Sequence, residues 1–184
     1  LEGPVDLSAC ERVEIRGSTL RGVSFEGAED TQIDLDTTSV VDCDLIGLRL
    51  SRVTASSFAS SRLSAVDFGG GLLRDVRFDD CVLRMSLMRM CELERVDFRE
   101  CRLDDVDGYE ARLDGVAFGG TSLVDVDLDK ARLHAVDLRG ATELDLRHVR
   151  DLSGCLLQPE QVTQLAFLFA AAAGVAMEKP QEEP

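Results

Sequence analysis

Large apolar residues recur at every fifth position along most of the chain. From Val53 to Leu138 these positions carry Leu, Phe, Met or Val, except at Gly108, which Tyr109 follows. Two residues before each of these centres lies a small or β-branched residue such as Ser56, and no charge interrupts this second series. A period of five fits neither the 3.6-residue period of a helix nor the two-residue period of a simple strand. The pattern predicts a chain that turns at regular intervals and directs two of every five side chains inward.

Every twentieth residue also repeats almost unchanged. One such series is Phe58, Phe78, Phe98, Phe118 and Leu138, and another is Leu63, Leu83, Leu103 and Leu123. These columns indicate four five-residue units per coil, with like side chains stacked at the β-strand spacing of about 4.8 Å. Because such a unit can bury its apolar side chains only against its neighbours, the sequence predicts an all-β solenoid.

The repeat changes phase once. Residues 13–50 follow the same pattern with earlier centres such as Ile15, and the step from Leu50 to Val53 is three residues, so two are missing. We interpret this step as a seam between an N-terminal repeat segment, 13–50, and the main repeat body, 51–150. Residues 1–12 are interpreted as a lead-in or a remnant of cloning.

The composition changes again after the repeats. Residues 151–177 begin a helix at Pro159 and Glu160, continue through strong helix formers, and have a plausible stop at Gly174. We expect this helix to form a dimer, because its apolar residues exceed the single stripe needed to cap one coil. The predicted dimer residues are Val162, Leu165, Ala166, Leu168, Phe169 and Val175. The tail, 178–184, reads as disordered.

Over about residues 13–140 the sequence resembles the pentapeptide repeat proteins. The stretches "AVDFGG", "RVDFRE", "ARLDGVAF" and "ARLHAVDLRG" carry this resemblance most clearly. It implies a right-handed quadrilateral parallel β-helix, here with a C-terminal α-helical cap, and in several members such a helix also builds a dimer. The best understood members are acidic, rod-shaped mimics of DNA that protect DNA gyrase and topoisomerase IV from quinolones or toxins.

The net charge is −15, with 35 acidic and 20 basic residues in 184. This charge argues against direct binding to nucleic acid or to an anionic membrane surface. No signal peptide is visible, and the uncharged stretch Gln161–Met177 is short for a membrane span. The expected location is the cytoplasm, and the expected partner is a protein.

The cysteines Cys81, Cys91 and Cys101 are ten residues apart because they occupy the small inward position of the repeat. We expect buried free thiols there, since side chains stacked one coil apart lie farther apart than a disulfide requires. No Cys or His spacing indicates a metal site, and no cofactor is expected.

No catalytic set can be singled out. His134 falls on an outward repeat position, where a solvated residue is expected, and the glycines at 69–71 lack the ending of a phosphate-binding loop. A solenoid wall also lacks the deep pocket that an enzyme needs. The sequence therefore predicts a protein without catalytic activity.

Two outward surfaces are candidates for contact with a partner. One predicted side collects carboxylates, which either suit the outer face of the repeat or imitate the charge of DNA; we call them the acidic strip, and they are Asp67, Asp107, Glu110, Asp127 and Asp129. In "RMSLMRM", apolar residues occupy outward positions where polar ones are expected; we call them the contact patch, and they are Met85, Leu87 and Met90.

Two functions remain open at this point. The first is a DNA-mimicking interactor of a topoisomerase, DNA gyrase above all, that gives protection against fluoroquinolones or toxins. The family resemblance, the acidity and the seam favour it. The alternative is a protein-binding scaffold with another partner.

Overall fold

The computed structural model describes residues 1–28, 31–147 and 152–175. They form a parallel β-solenoid of about seven turns, followed by two short helices. The predicted class, a right-handed quadrilateral parallel β-helix with a helical cap, is confirmed. The predicted tail, 178–184, lies outside the described residues.

Short strands form the sides of the coils. In the N-terminal part they are β1 Glu2–Asp6, β2 Arg12–Arg16, β3 Thr19–Glu26, β4 Gln32–Asp36, β5 Ser39–Val41, β6 Asp44–Ile46, β7 Arg49–Thr54, β8 Ser57–Ala59 and β9 Arg62–Ser64. The later strands are β10 Leu72–Asp79, β11 Val82–Arg84, β12 Glu92–Arg99, β13 Arg102–Asp104, β14 Arg112–Asp114, β15 Ala117–Gly119, β16 Ser122–Asp127, β17 Arg132–His134, β18 Val136–Asp137, β19 Glu143–Arg147 and β20 Cys155–Leu156. These strands pair in parallel with one another, as stacked coils require.

The corners explain the period of five. At every fifth residue from Ala55 to Ala135 the backbone has a positive φ, whether the residue is glycine or not. This left-handed conformation turns the chain between two sides. Because one residue turns, the other four can supply two inward and two outward side chains.

The seam at Leu50–Val53 is a shortened coil. Phe78 pairs with Phe98, a step of 20 residues, whereas Leu35 pairs with Val53, a step of 18. Positive φ values occur at Gly47 and next at Ala55, so one corner is turned without a left-handed residue. Strand β7 runs through this point, and Leu50 and Val53 are both buried. The core is thus continuous across the phase change.

Stacked aromatic rings form the centre of the core. The centroids of Phe58, Phe78, Phe98 and Phe118 are 4.7, 4.8 and 5.2 Å apart in sequence order, and their planes are within 11° of parallel. The first three rings of this stack are fully buried. The twenty-residue column read from the sequence is therefore a physical stack.

Two of the inward cysteines belong to a hydrogen-bonded ladder. The Cys81 N–H donates to the Cys101 Sγ over 3.4 Å, and the Cys101 N–H donates to the Thr121 Oγ1 over 3.3 Å. Cys81, Cys91 and Cys101 are free and buried, as expected. Burial raises the pKa of the Cys91 thiol to about 12, so it carries little thiolate at neutral pH.

The C-terminal segment differs in detail from the single helix that we expected. Helix α1, Pro159–Gln164, and helix α2, Ala166–Ala172, are separated at Leu165, whose side chain is 2% exposed. Gln161 is buried, and its Nε2 donates to the Leu138 carbonyl over 2.7 Å. The helix breaks where its side chains close the end of the solenoid.

Within the described residues, no helix is long and apolar enough to cross a lipid bilayer.

Candidate protein-binding surface

The acidic strip lies on one side of the solenoid, which we call the fourth side and which comprises residues 66–70, 86–90, 106–110 and 126–130. Asp67, Asp107 and Asp127 occupy a single column, because Asp67 bridges to Leu87, Leu87 to Asp107, and Asp107 to Asp127. The strip is therefore interrupted: a leucine of the contact patch stands between its first two aspartates. From the sequence alone, these two surfaces were predicted to be separate.

The aspartates of this column also stabilise the fold locally. Each accepts a hydrogen bond on Oδ1 from the backbone N–H two residues later: Asp67 from Gly69 over 2.7 Å, and Asp127 from Asp129 over 2.8 Å. Asp107 does the same with Tyr109 over 3.1 Å. Aspartate favours such turns intrinsically. The recurrence of Asp thus has a structural cause that is independent of any partner.

Cations on neighbouring coils offset much of the strip's charge. Arg89 Nε lies 2.6 Å from Asp107 Oδ2, and Lys130 Nζ lies 3.7 Å from Glu110 Oε1. Arg49 Nε lies 3.7 Å from Asp67 Oδ2. All six side chains keep at least a fifth of their maximal accessible surface, so each ion pair remains in contact with water.

Two further carboxylates border the fourth side, and the sequence analysis missed them. Asp105 and Asp125 occupy the corner residue that precedes the fourth side in successive coils, both with positive φ. Arg147 binds both, through Nη2 to Asp105 over 3.1 Å and through Nε to Asp125 over 2.7 Å. The sequence does show these two aspartates at equivalent positions, as the last residues of "CRLDD" and "TSLVD", where the chain turns the same corner. The acidic area is therefore wider than the strip.

The contact patch is exposed. Met85, Leu87 and Met90 keep 52%, 43% and 59% of their maximal accessible surface. All three lie in one coil, so the contact patch extends across the solenoid axis, whereas the acidic strip extends along it. Met85 and Met90 are corner residues with positive φ, which places them on either side of Leu87.

A tyrosine between two cations borders the patch. The Arg89 guanidinium lies 5.8 Å from the centroid of the Tyr109 ring, and the Lys130 Nζ lies 4.7 Å from it. Lys130 also donates a hydrogen bond to the Tyr109 hydroxyl, which raises the pKa of Lys130. Tyr109 is half-buried and is held in place by these contacts.

Three features of the described residues bear on catalysis: the possible metal ligands, an interior cavity and one histidine. No group of three or more His, Cys, Asp or Glu within residues 1–28, 31–147 and 152–175 could hold a metal ion. An interior cavity of about 30 Å³ lies beside Gly108 and is lined by apolar side chains such as Phe98 and Leu128. His134 is exposed, and its Nδ1 lies 2.7 Å from Asp114 Oδ1.

The predicted dimer residues fall into two groups. Leu165 is buried and Leu168 packs against the core, so both serve the cap. Val162 and Val175 keep 45% and 55% of their surface, Ala166 is exposed and Phe169 is half-buried. The sequence analysis omitted Phe167, which is 67% exposed. An apolar surface therefore remains on the outer side of the cap.

The fold is a β-solenoid in which similar inward side chains recur from coil to coil, whereas the outward side chains differ. Residues 51–128 match the family model described as "Pentapeptide repeat region". Residues 51–128 of the solenoid are thus built from pentapeptide repeats. No curated protein matches the chain significantly.

Several solved structures are similar to the chain. A trypsin-treated variant of QnrB1, a plasmid-mediated fluoroquinolone resistance protein, is 18% identical, with a TM-score of 0.42 over 97% of this chain and 100% of that one. Full-length QnrB1 is 19% identical, with a TM-score of 0.40 over 91% and 97% of the two chains. Rfr23, a pentapeptide repeat protein from the cyanobacterium Cyanothece 51142, is 15% identical, with a TM-score of 0.41 over 65% and 91%. At these values the similarities carry no weight for function.

Proposed function

We propose that this protein has no catalytic activity and binds a basic DNA-binding surface of a topoisomerase as a mimic of DNA. The observation that carries the proposal is the row of carboxylates on successive coils of the fourth side, Asp107 followed by Asp127. Coils stacked at about 4.8 Å place these charges at a regular spacing along a rod. A groove lined with Lys and Arg for phosphates attracts such a row by the same electrostatics.

The choice of a specific partner rests on the resemblance to the pentapeptide repeat proteins. Pentapeptide repeat proteins include acidic rods that protect DNA gyrase and topoisomerase IV, and this chain shares their repeat and their negative charge. DNA gyrase is therefore the first partner in the proposal, topoisomerase IV the second, and protection against fluoroquinolones or toxins the expected outcome. The proposed location is the cytoplasm, where these enzymes act.

Purified gyrase provides the test. We expect micromolar protein either to inhibit DNA supercoiling or to restore it in the presence of a fluoroquinolone, and to do so less well as salt increases, because screening weakens charge attraction. The measurement is supercoiling activity against protein concentration at two salt concentrations. Absence of both effects would remove gyrase from the proposal and leave the solenoid without an assigned partner.

A scaffold for another protein partner is the second candidate. The contact patch favours it, because three exposed apolar side chains in one coil are characteristic of contact surfaces. The ion pairs that offset the acidic strip also weaken a purely electrostatic attraction to a basic groove. A partner other than gyrase would be recognised through these apolar side chains.

We also propose that the cap forms a homodimer. Replacing Val162 and Phe167 together by Asp should give a monomer, because both side chains are exposed and neither closes the core. Sedimentation velocity measures the change. Leu165→Ala is the matched control: it should lower the melting temperature through the cap while the dimer persists. A wild-type protein that already sediments as a monomer contradicts the proposal.

A further inference from the structure

The contact patch and the carboxylates around it belong to one surface. Met85 donates its N–H to the Asp104 carbonyl and Met90 donates its N–H to the Tyr109 carbonyl, both over 2.9 Å, so the next coil lies directly beside the patch. Each apolar residue of the patch thereby has a carboxylate one coil, or twenty residues, further on. These carboxylates are Asp105, Asp107 and Glu110.

On the other edge of the patch, Asp67 lies beside Leu87 in the preceding coil. Its neighbours along that coil are Ala65 and the glycines at 69 and 70, which leave the apolar side chains accessible from that direction. The patch is therefore a low apolar ridge across the rod with carboxylates on both edges. Within it the only charged side chain is Arg89, which is engaged with Asp107.

The cations that contact these carboxylates are exchangeable. Arg89, Lys130 and Arg147 bind Asp107, Glu110 and Asp105, and all six side chains are partly exposed. Ion pairs of this kind contribute roughly 0–1 kcal/mol each. A cation from a partner can replace them at low cost. Around an apolar centre, such replaceable pairs resemble the polar rim of a protein interface.

We propose that Met85, Leu87 and Met90, together with Asp67, Asp105, Asp107 and Glu110, form a single binding surface for a protein segment of defined chemistry. That segment presents apolar side chains flanked by Lys or Arg, and it crosses the rod instead of following it. The apolar contact determines how long the complex lasts, and the carboxylates determine how fast it forms. This inference rests on the proposed function in one respect, namely that the partner is basic.

Two synthetic peptides of equal positive charge test the proposal on the full chain. One carries leucines between lysines, and the other has serine at each leucine position. By fluorescence anisotropy at low salt we expect the leucine peptide to bind about ten-fold more tightly than the serine peptide. Replacing Met85, Leu87 and Met90 together by Ser should remove this difference and leave the serine peptide's affinity unchanged.

Two further variants keep the test decisive. Ile46→Ser, at an exposed apolar residue outside this surface, should bind both peptides as the wild type does. If the triple variant does not fold by circular dichroism, Leu87→Ser alone should reduce the preference for the leucine peptide, because it removes the apolar side chain at the centre of the surface. Equal binding of the two peptides to the wild type, or unchanged discrimination in the triple or the single Ser variant, overturns the proposal.

The outcome is separable from that of the gyrase assay. If the protein discriminates between the peptides but has no effect on gyrase, the proposed surface stands and the proposed partner is wrong. If the protein affects gyrase and the triple variant does so equally, the proposed partner stands and the proposed surface is wrong.

Discussion

Replacing Phe98 by Ala should destabilise the fold by about 3–5 kcal/mol, the range for emptying a core aromatic site. Phe98 is fully buried between the rings of Phe78 and Phe118, with centroids 4.8 and 5.2 Å away. The neighbouring coils cannot close this space, because their backbones are held at the spacing of the β-ladders. Chemical denaturation followed by far-ultraviolet circular dichroism measures the loss.

Arg99→Ala is the matched control, since residue 99 follows Phe98 on the same strand. Its side chain is 51% exposed and pairs with Asp97 at the surface, so its loss should leave the denaturation midpoint close to that of the wild type. Comparable losses in the two variants would mean that the inward and outward assignments of the repeat are wrong.

The second large effect is expected on gyrase binding. Changing Asp107, Asp127 and Asp129 to Asn and Glu110 to Gln removes four charges from the acidic strip. The amide oxygens can still accept the turn hydrogen bonds that Asp107 and Asp127 accept, so the fold should persist. If the protein binds gyrase as a DNA mimic, affinity should fall by roughly ten-fold or more, and its salt dependence should flatten. Surface-bound gyrase and a salt series measure both quantities.

A second quadruple variant controls for net charge. Asp42, Asp79, Asp80 and Glu100 are outward carboxylates on another side of the solenoid. Their amide variants change the total charge by the same amount. A DNA mimic that uses the fourth side should tolerate this second variant much better than the first. Equal weakening would show that only the total charge matters.

The repeat explains why so much of the fold could be predicted. A left-handed residue at every fifth position fixes which side chains face inward, so Phe58 and Phe78 could be assigned to one stack from spacing alone. The two missing residues predicted a seam between two repeat segments, and the structure shows a shortened coil at this place. The same five-residue repeat therefore determines both where the chain turns and which residues pair between coils.

The candidate site was less predictable, because its properties depend on side chains from different coils. Spacing placed the acidic strip on one side, but the conformations of Arg89 and Lys130, which offset its charge, had to be seen. Leu87 joins the column of Asp67 and Asp107 by the same twenty-residue spacing, but grouping the outward residues by polarity separates it from them. The break at Leu165 also lacked a sequence signal, since neither glycine nor proline marks it.

The corners have a consequence for how a chain of this kind can change over evolution. Coils of 18 and 20 residues and a local step of 21, between Ser122 and Glu143, all pair in parallel, with register shifts between Ile33 and Asp34 and between Leu123 and Val126. Insertions and deletions are thus absorbed by local register shifts, while the parallel pairing continues on either side of each shift. Outward residues can meanwhile be exchanged without repacking the interior, as Leu87 among aspartates illustrates. New binding specificities can therefore arise by substitution of outward residues, one coil at a time, while the backbone and the core stay unchanged.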